Sequence, residues 1–441
     1  MRRLGRAALA ALLVVAVAPT PARASTYDIF GLSARDVAMG NAMTAAATGY
    51  AAVYYNPAAL TATSQQQIGL GLTLTLPEVY VDRGSADSDR PTVLPPSHFG
   101  LALGWMKPVP GVFAGKLALG VGLYLPGDRL VRVQGVDPQR PQFYLYQNLQ
   151  DKLLIHAAAA VEVTEWLSIG AGVEILADLG GSVALDMNIL SGEFEQRNLS
   201  VTLDPTAAPI AGIHIRPAEG VAIGLSYRGE SALSFHLPIR VSDGEALSLA
   251  VDVEQTVLWT PHQLSLGASW TLTDPALTLA LDATLAFWSG APDPSPRLSV
   301  DVEGYLLEAF GLAGALDLST HTAPIAVGFT DTVTARVGAE WQATPWLTLR
   351  GGYFYRPTPA PRQTGVTAYL DNDAHVLSLG AGFDFLSPLK EAPTAVRLDL
   401  AAQLTLLPRR TALRADAKDP VGDLSHGGHL WTFVMSLSHA Y

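Results

Sequence analysis

The chain has 441 residues, of which 49% are hydrophobic and 15% charged, with a formal net charge of −12 and no cysteine. This composition excludes a disordered chain and a disulfide scaffold, and the acidic charge argues against nucleic-acid binding. The longest unbroken apolar run, Ala7–Ala18, is shorter than the ~20 residues that a membrane-spanning helix requires. The apolar residues must therefore be distributed over shorter segments.

The N-terminus has the three parts of a secretory signal peptide. Arg2, Arg3 and Arg6 precede the apolar run, and Ala22-Arg23-Ala24 forms a small-residue cleavage site. A basic start, an apolar centre and an A-x-A end are typical of export signals. We therefore predict a signal peptide over residues 1–24 and an exported mature chain that begins at Ser25.

The next segment, residues 25–64, lacks any strand pattern and is rich in small side chains. Its composition is compatible with a helix from about Ser33 to Ala47, with Ser33 as the cap and Asp36 three residues later. The residues after this segment predict a closed barrel, as described below. A compact segment that precedes such a barrel must lie in the periplasm or fill the lumen. Small side chains favour the second arrangement, so we predict a partly helical hatch that plugs the barrel.

From residue 65 onward, large apolar residues alternate with Gly, Ser, Thr or charged residues. This period of two predicts strands with one apolar face. Fourteen segments show it, and they predict a barrel domain over residues 65–441: Ile68–Leu76, Phe99–Trp105, Leu117–Leu125, Leu153–Val163, Leu167–Ile175, Ile213–Ile215, Val221–Tyr227, Leu264–Trp270, Leu277–Phe287, Val333–Trp341, Leu347–Tyr355, Leu377–Phe385, Val396–Leu406 and Trp431–Tyr441.

The connections between these segments alternate between short turns and long polar loops. Thr273–Pro275 is a short one, whereas Gly127–Asp151 and Ser289–Thr330 are long. An even strand number with short turns at one end and long loops at the other is typical of outer-membrane barrels. The fold class is therefore all-β, a 14-stranded antiparallel transmembrane β-barrel in a Gram-negative-type outer membrane.

The charged residues of the strands lie on the face opposite the large apolar ones. Because an Arg or Lys on the lipid face costs ~2–4 kcal/mol at the midplane, this charged face must be the lumen. Its arginines could bind a ligand carboxylate bidentately. The alternative is a network of ion pairs within the lumen. The candidate arginines are Arg228, Arg336, Arg350 and Arg397, and the lumen carboxylates are Glu174, Asp282, Glu340 and Asp399.

The last segment places aromatic and apolar residues on one face and ends on Tyr441. A terminal aromatic strand of this kind looks like the signal that the barrel-assembly machinery reads. We therefore predict that this machinery is a partner during insertion. We also predict that the mature protein is a monomer.

Residues 25–64 resemble the N-terminal hatch of the FadL/TodX family. The resemblance rests on Phe30-Gly31-Leu32-Ser33-Ala34-Arg35, on Ala38–Ala42, and on Ala52–Leu60 with its Asn56-Pro57-Ala58 element. It implies a fourteen-stranded barrel plugged by a hatch, and an outer-membrane transporter of long-chain fatty acids or other hydrophobic compounds. It also implies that Phe30, Gly31, Asn56, Pro57 and Ala58 belong to the gate.

The resemblance further implies a lateral exit for the cargo, at a kink in the third strand. Leu125-Pro126-Gly127 could provide that kink, because a proline cannot donate to the strand ladder. Pro126 and Gly127 are therefore the candidate lateral opening, although the proline could simply end the strand.

Five loop stretches are apolar enough to capture a hydrophobic molecule outside the membrane or to contact lipopolysaccharide and lipid. The strongest candidate residues are Leu306, Leu307 and Phe310, in a helix-like run. Packing of loop against loop is the alternative. The stretches are Leu145–Leu149, Val183–Leu190, Leu233–Ile239, Leu247–Val253 and Tyr305–Leu318.

The sequence contains none of the common hydrolase, metalloprotease or phosphate-loop motifs. We therefore predict no enzyme activity, no cofactor and no metal, and we interpret His426 and His429 as part of a solvated loop. We predict that the protein takes up hydrophobic compounds, foremost long-chain fatty acids, by capture outside the cell and lateral diffusion through the wall, with the hatch as the gate. The alternatives are a barrel of the same architecture that docks secretion partners, a general porin, and a barrel hydrolase.

Overall fold

The computed structural model describes most of the mature chain. The residues that it describes are 31–83, 92–109, 117–127, 138–147, 153–188, 193–243, 247–303, 327–365, 367–386, 395–416, 419 and 421–441. The predicted signal peptide, Phe30, and the loop residues Leu306, Leu307 and Phe310 lie outside these ranges.

Nineteen strands lie within the described residues, and fourteen of them form a closed antiparallel barrel. Each of the fourteen predicted segments falls on a different barrel strand, so the predicted fold class is confirmed. The barrel strands are β1 (Gln67–Asp82), β2 (His98–Val109), β3 (Leu117–Pro126), β5 (Leu154–Thr164), β6 (Leu167–Asn188), β7 (Glu193–Ala218), β8 (Val221–Arg228), β11 (Gln263–Thr273), β12 (Ala276–Ala286), β14 (Thr332–Thr344), β15 (Leu347–Arg356), β17 (Ala374–Leu386), β18 (Ala395–Ala412) and β19 (Leu424–Ala440).

The barrel closes between its first and last strands. β1 pairs with β19 from Gln67 opposite Ala440 to Asp82 opposite Ser425. Beyond the strand, the backbone N–H of Tyr441 donates to Gln66 O, and Gln66 Nε2 donates to the Tyr441 hydroxyl at 2.6 Å. The C-terminal aromatic residue therefore lies at the seam where the sheet closes.

The two faces of the barrel strands differ as the alternation predicts. Leu266, Leu281 and Leu379 are 56%, 49% and 71% exposed on the outside. Arg350 and Asp399, by contrast, are buried inside. Exposed leucines on the outside fit contact with lipid chains, and the charged lumen fits a filled interior.

Five further strands lie at the end of the barrel that carries the long loops. They are β4 (Gln142–Phe143), β9 (Ser231–Asp243), β10 (Leu247–Thr260), β13 (Arg297–Glu303) and β16 (Tyr369–Leu370). β9 pairs in parallel with the outer part of β6 and antiparallel with β10, which pairs with β13. β6 and β7 have 22 and 26 residues, more than twice the ~9–11 that span a bilayer.

Three of the five apolar stretches that we assigned to loops lie in this outer sheet. Val183–Leu190 falls largely on β6, Leu233–Ile239 on β9 and Leu247–Val253 on β10. The loop assignment was wrong for them, because their alternation continues the strand pattern beyond the membrane.

Short helices account for most of the remaining regular structure. They are α1 (Ala34–Ala38), α2 (Ala52–Tyr55) and α3 (Tyr144–Gln147), with 3₁₀ turns at Gly49–Ala51, Pro57–Ala62 and Trp288–Gly290. Among the described residues, no helix is both long and apolar enough to span a membrane.

Candidate functional site

The hatch lies inside the barrel and is almost entirely buried there. Val37, Met39, Ala52 and Leu60 are fully buried, although they belong to a segment with little regular structure. Their neighbours are lumen-facing residues of the strands. The small side chains let the hatch backbone approach the wall closely, as expected for a plug in a narrow lumen.

The first helix of the hatch is shorter than predicted. Ser33 and Asp36 form the expected capping box, with each side chain accepting from the other's backbone N–H. α1 nevertheless ends at Ala38 rather than near Ala47, because Gly40 and Asn41 take φ values of 60° and 56°. A left-handed backbone stops an α-helix, so the hatch continues as tight turns.

The Asn56-Pro57-Ala58 element links the hatch to the wall. The fully buried Asn56 donates from Nδ2 to Thr44 O at 2.9 Å and to Ile213 O of β7 at 3.0 Å, while its Oδ1 accepts from the Ala58 N–H. Pro57 starts the following 3₁₀ turn, where a missing N–H costs nothing.

Gly31 also has a local structural role. It has a φ of 71°, and a Cβ there would lie 2.4 Å from Val37 Cγ2, so a larger residue would clash. Gly31, Asn56, Pro57 and Ala58 thus hold the hatch in shape, and their role in gating stays a prediction.

A chain of ion pairs joins the hatch to β14, β15 and β18. Arg35 binds Glu340 through two hydrogen bonds of 2.8 and 3.0 Å. Glu340 also accepts from Arg350 at 2.6 Å, and Arg350 donates to Asp399 at 2.7 Å. Two carboxylates therefore balance the charge of the buried Arg350 guanidinium through its Nε and Nη1 atoms, as low-dielectric surroundings require.

The other candidate arginines have partners within the protein as well. Arg397 contacts Asp399 at 3.2 Å, and Arg336 donates to Thr284 Oγ1 at 2.7 Å. Arg228 donates to both the hydroxyl and the carbonyl of Tyr54 in the hatch, and its guanidinium lies 3.8 Å from that ring's centroid. Arg350 and Arg397 thus pair with lumen carboxylates, as in the ion-pair alternative, whereas Arg336 and Arg228 bind Thr284 and Tyr54. Ligand binding by the arginines stays a prediction.

Glu174 pairs with a histidine rather than with an arginine. His156 Nε2 lies 2.7 Å from Glu174 Oε2, and both side chains are fully buried. The two residues face each other across β5 and β6. His156 follows the same alternation as the other lumen residues, and this signal could have identified it from sequence.

The hatch packs against strands β1 to β3 through side chains that fill the space left by glycines of the barrel wall. A Cβ on Gly69 or Gly104 would lie about 2 Å from the Tyr50 ring. A Cβ on Gly120 or Gly122 would lie 2.4 or 3.1 Å from the Val53 methyl groups. We call these four glycines the notch. Gly69, Gly104 and Gly122 lie in one row across the three strands.

Elsewhere the wall glycines face the backbone of the hatch. A Cβ on Gly352 would lie 2.1 Å from Gly40 N, one on Gly338 would lie 2.4 Å from Met39 O, and one on Gly170 would lie 2.4 Å from Ala58 N. We call these positions the backbone contacts. The alternation in the sequence places glycines on the face opposite the large apolar residues, but it does not show which hatch residues lie against them.

A polar vestibule of about 670 Å³ lies beneath the hatch at the short-turn end. Its lining includes the turn residues Glu165 and Glu219 and the strand residue Arg216, together with Arg35 and Asp399. A hydrocarbon entering this space would give up ~0.8 kcal/mol for each CH₂ moved into water.

At the long-loop end, the outer sheet presents an apolar face. Three rows of residues lie in register across β9, β10 and β13, and their described side chains are half-buried or exposed. Residues that alternate with them include Arg240, Asp252 and Asp301, on the opposite face. We call the apolar set the outer apolar face: Leu237, Ile239, Val241, Leu249, Val251, Val253, Leu298 and Val300.

Buried aromatic rings and an ion pair join the loops at this end. The Tyr144 ring stacks on Phe329 with centroids 5.7 Å apart, and Arg356 donates to Asp371 and to the Tyr146 hydroxyl. Burial raises the pKa of the Tyr146 phenol above its ordinary value, so the phenol stays protonated.

The candidate lateral opening lies where β3 ends. Pro126 is the last residue of β3 and is paired opposite Gly100 of β2, and the Gly127 N–H donates to Phe99 O at 2.8 Å. The described residues contain no cluster of three or more His, Asp or Glu side chains suited to a metal ion.

Comparison with known proteins shows one consistent family. The family described as "Outer membrane protein transport protein (OMPP1/FadL/TodX)" matches residues 15–392. Alkane uptake protein A of Marinobacter nauticus is 23% identical over 448 residues, covering 98% of this chain and 95% of that protein.

Solved structures with a similar fold agree with this result. The Pseudomonas putida toluene transporter TodX gives a TM-score of 0.55 at 17% identity, covering 93% of this chain and 98% of that one. A Pseudomonas aeruginosa FadL homologue gives 0.55 at 16% identity, covering 89% and 94%.

Proposed function

The chain belongs to the OMPP1/FadL/TodX family of outer-membrane transport proteins, and we propose that its cargo is a long hydrocarbon chain, as in a fatty acid or an alkane. It is a transporter of hydrophobic compounds rather than an enzyme. The proposal concerns the cargo and its route: capture outside the cell, passage beside the hatch, and exit through the barrel wall.

The outer apolar face is the observation that carries the capture step. It lies on β9, β10 and β13, and β9 pairs with the part of β6 that extends beyond a bilayer's span, so we infer that lipid tails do not cover it. An exposed apolar surface outside a membrane favours contact with another apolar molecule. Each CH₂ that leaves water there gains ~0.8 kcal/mol, so a long chain binds better than a short one.

The filled lumen supports passage beside the hatch rather than through an open pore. The hatch contacts the wall on every side by close packing or hydrogen bonds, which disfavours a general porin. The notch supports a specific gate, because rotation of the Tyr50 and Val53 side chains would create space along β1 to β3. Displacing the hatch at the backbone contacts would require moving its main chain.

The vestibule supports exit through the wall. A hydrocarbon that left along the barrel axis would have to cross a space lined by carboxylates and guanidinium groups. Exit near Pro126 and Gly127 would instead bring the chain directly into the bilayer. This lateral route therefore agrees with the solvation of the cargo.

The lumen arginines bear on the choice between the two cargo classes. A fatty-acid anion would have to compete with Glu340 or Asp399 for Arg350, whereas an alkane would not. The name of the Marinobacter relative agrees with an alkane. If the arginines do bind a carboxylate, Arg336→Ala or Arg350→Ala should reduce palmitate uptake more than hexadecane uptake.

The capture step can be tested by uptake of radiolabelled hexadecane and palmitate into cells that depend on this protein. Val251→Asp on the outer apolar face should lower uptake of both at least severalfold. Ala250→Asp, on the opposite face of the same strand, is the matched control and should leave uptake unchanged. Equal effects of the two variants would argue against capture at this face. A stable co-purifying protein without bound lipid would favour the scaffold alternative.

A further inference from the structure

A small polar cavity lies between the hatch and the wall, on the side away from the notch. Its volume is about 20 Å³. The hatch contributes Asn41, Thr44, Tyr54 and Tyr55 to the lining, and β8, β11, β12 and β14 contribute Arg228, Ser265, Asp282, Thr284 and Arg336.

Polar atoms of this lining that have no hydrogen-bond partner within the described part of the chain include one each on Asn41, Asp282 and Arg336. These three are Asn41 Nδ2, Asp282 Oδ1 and Arg336 Nε. Asn41 and Asp282 are only 4% and 7% exposed. Buried polar groups in folded proteins nearly always find a partner, so three such atoms around one cavity point to a bound guest.

Each of the three side chains is already held by a hydrogen bond through another of its polar atoms. Asn41 Oδ1 accepts from the Tyr55 hydroxyl at 2.8 Å. Asp282 Oδ2 accepts from the Thr44 N–H at 2.7 Å, and Arg336 Nη1 donates to Thr284. These bonds hold the three side chains in place, so the remaining atoms cannot easily turn elsewhere.

We propose that this cavity binds a single water molecule that bridges the hatch to the barrel wall. Of these three atoms, Asn41 Nδ2 and Arg336 Nε are donors, and Asp282 Oδ1 is an acceptor. A water can accept from the first two and donate to the third, which is the usual three bonds of a buried water. The volume also fits, because one water needs at least ~10–15 Å³.

Other guests fit the site less well. A halide or a carboxylate would face the unpaired oxygen of Asp282, and a cation would face two guanidinium groups. A hydrocarbon would leave all three polar atoms without partners. The water would link Asn41, which lies just after α1, to Asp282 of β12 and Arg336 of β14. It would thereby strengthen the attachment of the hatch to this side of the barrel wall.

A crystal structure of the full chain, at a resolution that shows ordered water, tests the proposal directly. We expect one peak at roughly 2.7–3.2 Å from all three atoms, unchanged after a bromide soak. An anomalous bromide peak at the site would overturn it. So would a direct bond between Asn41 and Asp282, or density for part of a lipid.

A pair of variants tests what the bridge does. Asn41→Gly removes the amide but suits the left-handed backbone, whereas Tyr55→Phe removes the neighbouring hydroxyl and keeps Asn41 Nδ2. We expect Asn41→Gly to lose the water peak and to raise planar-bilayer conductance severalfold above Tyr55→Phe. Equal conductance in the two variants, or a peak that persists in Asn41→Gly, would contradict the bridging role.

Discussion

The hatch meets the barrel through two different kinds of interface. Along the notch, side chains of the hatch occupy glycine positions of β1 to β3. At β6, β14 and β15 the hatch backbone itself touches the wall, and the ion pairs from Arg35 to Asp399 reinforce the contact at β14 and β15. A side chain can leave its position by rotation about one or two bonds. Separating a backbone contact or a buried ion pair costs more free energy. The two interfaces therefore predict that the hatch opens at the notch while it stays attached at the backbone contacts.

The largest expected effect comes from locking the notch with a disulfide. A Cβ at residue 122 would lie 3.1 Å from Val53 Cγ2, within reach of an S–S bond of about 2.05 Å. The double variant Val53→Cys/Gly122→Cys should abolish hydrocarbon uptake under oxidising conditions and recover it with reductant. The chain has no cysteine of its own, so no other pairing interferes.

The matched control locks the hatch elsewhere. The Thr61 and Ser168 hydroxyl oxygens lie 2.7 Å apart, so Thr61→Cys/Ser168→Cys should also form a disulfide, and here uptake should continue. If both locks block uptake equally, the whole hatch must move. If neither does, the cargo does not pass through the notch.

A smaller effect is expected from removing the central carboxylate of the ion-pair chain. Glu340→Gln leaves the buried Arg350 and the hatch residue Arg35 with one counter-charge fewer. Breaking a buried pair in this way lowers the free energy of unfolding by about 3 kcal/mol. Denaturant unfolding in detergent measures the change.

Glu162→Gln is the control for that variant. Its partner Arg216 is 29% exposed, whereas Arg350, the partner of Glu340, is fully buried. Pairs with an exposed partner contribute only about 0–1 kcal/mol. A similar loss in both variants would mean that burial of the Glu340 chain adds nothing to the attachment.

The smallest effect compares two glycine substitutions. Gly352→Ala puts a methyl group against the Gly40 backbone, whereas Gly104→Ala puts one against the Tyr50 ring. Overpacking costs about 1–3 kcal/mol when neighbours cannot yield. We therefore expect Gly352→Ala to lower the melting temperature more than Gly104→Ala. The reverse order would remove the distinction between the two interfaces.

The sequence determined the barrel because the signal for a strand is local. Each segment shows the alternation at a period of two by itself, for example Ile68–Leu76. The alternation does not depend on which strand is its neighbour in the barrel. The capping box of Ser33 and Asp36 and the inward face of Arg350 follow from local rules in the same way.

Only the tertiary structure decided which residues meet. Glu174 pairs with His156 and Arg228 holds Tyr54 because strand register and the path of the hatch bring them together. The outer sheet arises in the same way, since β10 pairs with β13, and β9 with β6, across residues far apart in the chain. Such contacts depend on the closure of the whole barrel, and no single segment of sequence contains that information.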